Sequence, residues 1–80
     1  MDHTFRLTAD TVAAIEQELH YLQTIRWKEI EEMREAAKIF GDLSENAEYE
    51  FAITERNECL DRINNIKHIL SHAVIIDERE

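Results

Sequence analysis

Asp42 and Glu45 stand three residues apart near the midpoint of an 80-residue chain, beside its only glycine, Gly41. Two neighbouring carboxylates are ligands for a hard cation such as Mg²⁺, which wants six oxygens and usually takes one or two from protein, the rest from water and phosphate. Such a pair holds the ion weakly by itself, so the spacing suits a site that another molecule completes. The same residues also suit a structural task, with Asp42 as a helix N-cap and Glu45 as its N3 partner, both favourable against the helix dipole. Capping leaves two features unexplained. Leu43 falls where an apolar side chain is exposed, and residues 29–58 hold ten acidic side chains against Arg34, Lys38 and Arg56.

Other reactive side chains offer less. His68 and His72 have the i, i+4 spacing of metal ligands, but no third ligand and no His-Glu-x-x-His pattern accompany them. Cys59 lies on an apolar stripe and reads as a small buried hydrophobe rather than a nucleophile. As a lone cysteine it forms no intramolecular disulfide, and a reducing cytoplasm is its simplest compartment.

The elements that carry these residues follow from composition and spacing. Eighteen acidic against nine basic side chains give a net charge of −9, which argues against grip on nucleic acid by phosphate neutralisation. No run of about 18 apolar residues is present for a membrane span, and the N-terminus lacks the basic and apolar regions of a secretory signal. Zero prolines and one glycine exclude a turn-rich β fold. The expectation is an all-α fold: an antiparallel two-helix coiled-coil hairpin with a functional acidic tip.

Helix 1 is expected from about residue 9 to 40, the tip over 41–46, and helix 2 from about 44 to 71. Thr8 or Asp10 would cap the first helix, and Asp42 or Ser44 the second, just after the glycine. Along helix 2, Tyr49, Ala52, Arg56, Cys59, Ile63, Ile66, Leu70 and Ala73 alternate steps of three and four, a coiled-coil seam. Val12, Ile15, Leu19 and Leu22 begin a matching seam, which resumes at Ile30, Met33, Ala37 and Phe40. The step from Leu22 to Ile30 is eight residues rather than seven, so the supercoil is expected to relax locally there, with Trp27 covering the break or facing a partner. Arg56 is expected to pair with a glutamate of helix 1 or to reach solvent. Residues 74–77 read as a short strand or ordered tail, and no partner strand is visible. A two-stripe core makes for marginal stability, and a hairpin about 45 Å long is a poor container but a good rod.

Gly41-Asp42-Leu43-Ser44-Glu45-Asn46-Ala47-Glu48-Tyr49 resembles the tip motif of the bacterial Gre transcript cleavage factors. Leu7-Thr8 with Ile15 to Leu19, and Arg62 to Ile66 with Ala73 to Asp77, resemble that family's opening and closing segments. The likeness covers nearly all 80 residues and corresponds to the family's N-terminal coiled-coil domain, without the C-terminal FKBP-like domain that the resemblance would add.

The resemblance implies a hairpin that enters the secondary channel of bacterial RNA polymerase, its tip reaching the active centre. Asp42 and Glu45 would be the catalytic pair, helping to hold a second Mg²⁺ shared with the polymerase, which then cleaves the 3′ end of backtracked RNA. Phe40, Gly41, Leu43, Ser44, Asn46 and Tyr49 would shape the tip or touch polymerase, and Lys38 matches a basic position that contacts RNA. The chain would stimulate the polymerase rather than act as a nuclease, with no organic cofactor. Departures from the family pattern are Trp27-Lys28 in place of an Arg-Pro pair, which predicts a straighter helix 1, and Ile53 in place of a basic residue, which depletes the RNA-holding patch. Two rival readings are a channel-binding regulator or inhibitor without cleavage stimulation, and a plain coiled-coil interaction module. Apolar residues at the open end (Phe5, Leu7 and Val74 to Ile76) predict weak self-association.

Overall fold

The computed structural model describes residues 4–39 and 46–76. A strand β1 (Phe5–Thr8) leads into helix α1 (Ala9–Tyr21), a π-helical turn (Leu22–Arg26) and helix α2 (Trp27–Lys38). Helix α3 (Ala47–Ser71) returns alongside and runs into strand β2 (Ala73–Ile76). The molecule measures 59 × 27 × 14 Å, with a radius of gyration of 17.3 Å. A compact chain of this length has a radius of gyration of about 12 Å, so the hairpin is a rod. None of the described helices is long and apolar enough to cross a membrane.

The expected seam faces inward. On α3, Ala52, Cys59, Ile63 and Ile66 are buried, and Tyr49, Arg56 and Leu70 are half-buried. On the facing side Ile30 and Ala37 are buried, while Val12, Ile15, Leu19, Leu22 and Met33 are half-buried. Ile30, Cys59 and Ile63 form one cluster, closed over by Leu19, Leu22 and Trp27. The Cys59 thiol lies 3.7 Å from the Leu22 carbonyl, and desolvation pushes its pKa up, with Arg26 opposing. It is an inert core residue, as its position on the stripe implied.

The eight-residue step is absorbed locally, where the break in the seam was expected, and the device is a π turn. One π turn takes up the extra residue within Leu22–Arg26, where the Trp27 N–H reaches back five residues to the Leu22 carbonyl. The Thr24 hydroxyl donates to the His20 carbonyl at 2.6 Å, giving that carbonyl a side-chain partner beside the disturbed ladder. A local insertion costs one turn of poor geometry, whereas unwinding would displace every seam residue downstream. With Trp27-Lys28 and no proline at this point, the regular helix is interrupted immediately before Trp27 by the π turn. Deleting Thr24 should convert the step to seven residues and the π turn to regular helix. The melting temperature is expected to stay within about 5 °C of the parent or to rise. A larger fall in a thermal melt followed by circular dichroism would show that the π turn is required.

The open end corrects an expectation. β2 does have a partner: β1 pairs with it in parallel, with Phe5 opposite Ala73, Arg6 opposite Val74, Leu7 opposite Ile75 and Thr8 opposite Ile76. The Phe5 N–H also donates to the His72 carbonyl at 2.9 Å. Parallel strands need a long crossover, and here the whole helical hairpin supplies it. Thr8 ends β1 and caps α1, its hydroxyl accepting the Thr11 N–H at 3.2 Å. Val74 and Ile75 remain exposed, whereas Phe5, Leu7 and Ile76 are half-buried.

Arg62 on α3 grips Glu18 on α1 with two hydrogen bonds, 2.7 and 2.8 Å long. Those bonds hold the Glu18 carboxyl below the ordinary carboxylate range, against a smaller desolvation effect. The native state therefore binds fewer protons than the unfolded chain in acid. The pair's contribution is complete above the ordinary carboxylate pKa and disappears as pH falls through the native Glu18 value. Both side chains are solvated, so Arg62→Ala is expected to cost at most about 1 kcal/mol at neutral pH. Thermal melts of parent and variant should converge as pH falls through the lowered native Glu18 value. Melts that stay apart in acid would assign the effect to packing of the arginine stem.

Candidate functional site

The far end of the rod is built by the last turns of α2 and the first turns of α3. Both seams narrow there to alanine: Ala37 is 2% exposed and Ala52 is fully buried. Small side chains let two helix backbones approach closely, so the chain reverses over a short span.

Asn46 begins α3. Its backbone is extended (φ −91°, ψ 99°), and its side-chain oxygen accepts the Tyr49 N–H at 3.0 Å. This corrects the expected start of helix 2 at Ser44 and the expected caps Asp42 or Ser44. An N-cap needs an extended backbone with an acceptor aimed at N2 or N3, and Asn46 meets both conditions. The capping-box reading of Asp42 and Glu45 on this helix falls with it, because the N3 position is Tyr49. Glu48 and Glu50 in the first turn are favourable against the α3 dipole. α2 ends at Lys38, with Ile39 as its C-cap, rather than at Phe40.

Of the residues singled out from the sequence, Phe40, Gly41, Asp42, Leu43, Ser44 and Glu45 lie outside the described residues. Lys38, Asn46 and Tyr49 lie within them and flank that span on both sides. Lys38 pairs with Glu35 at 3.2 Å in the last turn of α2, where a cation is also favoured by the dipole. Tyr49 is half-buried, and its backbone N–H is held by the Asn46 side chain. Arg34 is fixed chiefly by a 2.7 Å hydrogen bond to Glu31, which raises the pKa of its guanidinium. Its Nε is buried without a partner among the described residues.

Charge is distributed unevenly over this end. Glu29, Glu31, Glu35 and Glu55 are engaged by Arg26, Arg34, Lys38 or Arg56. Glu32, Glu48, Glu50 and Glu58 make no ion pair among the described residues. The acidic surplus read from the sequence is therefore a surface property of the folded end. Among the described residues no group of three or more His, Cys, Asp or Glu side chains gathers in a way that could hold a metal ion.

Trp27, expected at the register break, does cover it, and Arg56 lies over its ring, 5.5 Å from the centroid, while also reaching Glu31 at 3.9 Å. Phe51 was not singled out from sequence. It is 56% exposed and lines an apolar hollow of about 420 Å³ with Met33, Ala36, Ala37, Ala47 and Glu48. Its only sequence signal is an aromatic residue off the three-four spacing of the seam. Ile53, where the family pattern has a basic residue, is half-buried. His68 and His72 lie at the opposite end of α3. Their ring centroids are 4.5 Å apart, His68 packs edge-on against Phe5, and the His72 Nδ1 lies 2.9 Å from the His68 carbonyl.

Comparison with known proteins gives this architecture a family. Residues 5–75 match the family described as transcription elongation factor, N-terminal, the shared N-terminal domain of GreA and GreB. The chain is 46% identical over 79 residues to transcription elongation factor GreA of Alkaliphilus oremlandii, covering 99% of this chain and 50% of that protein. It is 43% identical over 74 residues to GreA of Clostridium botulinum, covering 92% of this chain and 46% of that protein. For GreA of Bacillus subtilis the identity is 38% over 77 residues, covering 96% and 49%. The chain thus spans about half the length of the curated relatives it matches. A helical hairpin whose seam, acidic end and turn motif coincide with the matched region belongs to the Gre family of transcription elongation factors, as its N-terminal domain.

Proposed function

We propose that this hairpin is a rod that delivers Asp42 and Glu45 to the active centre of bacterial RNA polymerase and stimulates cleavage of backtracked RNA there. The observation that carries the reading is Asn46 at the start of α3. With the cap supplied by Asn46, the two carboxylates are not needed to begin that helix. They sit in the sequence between two helix ends, in a molecule 59 Å long, which suits reach into a deep channel.

The donor chemistry fits a shared Mg²⁺. Asp42 and Glu45 would supply two of its six oxygens, and polymerase carboxylates, RNA phosphate and water the others. When bound, a second metal ion stabilises the attacking and leaving oxygens of an in-line phosphoryl displacement. The chain itself contributes ligands and placement, so it acts as a stimulator of the polymerase and not as a free nuclease. Lys38, whose pair with Glu35 is an exposed i, i+3 contact, can exchange that partner for an RNA phosphate at little cost.

The depleted basic patch, with Ile53 half-buried and Lys38 paired, favours a second reading: a channel-binding regulator that does not promote cleavage. One assay separates the two. Stalled, backtracked polymerase complexes are incubated with Mg²⁺, with and without the chain, beside a polymerase-free control. Faster RNA cleavage that requires polymerase is expected. No acceleration, combined with displacement of an intact Gre factor, would establish the regulator. Neither effect would leave a plain coiled-coil module.

A further inference from the structure

We propose that Asn46 is a positioning residue of the acidic end, acting as a clasp between the two helices rather than as a contact to the polymerase. The inference deepens the cleavage reading and rests on it for its functional consequence. The Asn46 carboxamide works in two directions. Its oxygen accepts the Tyr49 N–H at 3.0 Å, and its Nδ2 donates to the Ala37 carbonyl, nine residues earlier, at 2.6 Å. The first four N–H groups and the last four carbonyls of a helix lack partners within it. One side chain thus satisfies an orphan donor of α3 and an orphan acceptor of α2.

Capping explains only half of this arrangement. An aspartate, serine or threonine would cap α3 about as well, but none of them offers a side-chain N–H donor to a carbonyl on the other helix. The buried Ala37 and Ala52 bring the helices close enough for so short a side chain to span the gap. Residues 40–45 lie in sequence between the two helix ends that Asn46 joins. Fixing the ends narrows what the connecting residues can explore, and a displacement of about 1 Å at a reacting group costs on the order of a hundredfold in rate.

Asn46→Asp is the discriminating variant, because aspartate keeps the cap acceptor and loses the donor. Its helix content and melting temperature are expected to stay close to the parent's. Amide hydrogen exchange over residues 37–46 is expected to accelerate about tenfold, in line with the loss of one hydrogen bond. In the cleavage assay the maximal rate is expected to fall about tenfold or more, while the half-saturating concentration of the chain moves less than about threefold. Asn46→Ser, which also caps but has no N–H and a side chain one atom shorter, should behave alike and covers the case in which the aspartate variant misfolds.

Unchanged exchange would overturn the clasp. A raised half-saturating concentration with an unchanged maximal rate would overturn it too, by assigning Asn46 to partner contact. If the parent chain itself gives no cleavage, the functional reading fails separately, and the exchange comparison alone decides whether the clasp ties the helix ends.

Discussion

Cleavage stimulation is expected to fall by at least about a hundredfold when Asp42→Asn and Glu45→Gln are combined, with the hairpin still folded. Both substitutions keep size and shape and remove charge, so the change isolates the ability to ligate a hard cation. Loss of a single preorganised electrostatic contact in an active centre already costs on the order of a hundredfold. Stability supplies the control. An N-cap removed from a helix costs about 1 kcal/mol, which lowers the melting temperature of a domain this size by about 4–8 °C. The structure assigns the α3 cap to Asn46, so no such fall is expected. Residues 29–58 carry seven net negative charges, and relief of their repulsion should leave the melt unchanged or slightly higher. Activity retained by the double variant would refute the carboxylate mechanism. Lost activity with a melt lowered by the full cost of a cap would instead return both residues to a structural role.

The largest stability effect is expected at Ile30. Its side chain is fully buried, at the centre of the cluster with Cys59 and Ile63 and beneath Leu19, Leu22 and Trp27. Ile30→Ala removes that packing and leaves a cavity, at a typical cost of about 2–5 kcal/mol. Small domains have only about 5–15 kcal/mol in total, and a two-helix rod with few buried side chains belongs near the bottom of that range. The variant is therefore expected to lose most of its helical signal in one transition at or near room temperature. Chemical denaturation followed by circular dichroism measures it directly. A cost below about 1 kcal/mol would mean that neighbouring side chains collapse into the space, which the half-exposed rim of Leu19, Leu22 and Trp27 would have to permit. Cysteine chemistry offers an independent readout, since Cys59 becomes reactive toward thiol reagents only when this cluster opens.

Particular residues mark where sequence reading succeeds and where it stops. Tyr49 to Leu70 were legible because a seam is a local pattern: each step of three or four keeps one face turned inward whatever the partner is. Gly41 marked the reversal, and the first cap was narrowed to Thr8 or Asp10, for similarly local reasons; the structure assigns it to Thr8. The eight-residue step announced a fault between Leu22 and Ile30, but whether it is absorbed by unwinding or by one π turn depends on how firmly Ile30 and Leu19 are held by α3. The start of α3 was misplaced at Ser44 because three closely spaced residues, Asp42, Ser44 and Asn46, are all good caps by composition. Asn46 differs from the others in carrying a side-chain N–H beside its cap acceptor, and that N–H meets Ala37 on the other helix.

Asp42 and Glu45 were singled out through their spacing, their acidic surroundings and the turn motif around them, all within the region that matches the family. Lys38, Asn46 and Tyr49 gained definite neighbours from the structure, whereas Phe51 and its hollow came from the structure alone. The sequence by itself determined the hairpin: two amphipathic helices, one reversal, one acidic end, and the family to which they belong. Only the tertiary structure decided that Phe5–Thr8 pairs with Ala73–Ile76, that one π turn carries the register fault, and that Asn46 ties the two helices together. The physical reason is common to all three. Periodicity and capping propensity are properties of neighbouring residues, whereas a parallel strand pair, a tolerated π turn and an interhelical hydrogen bond each depend on groups that approach only once the chain has folded back on itself.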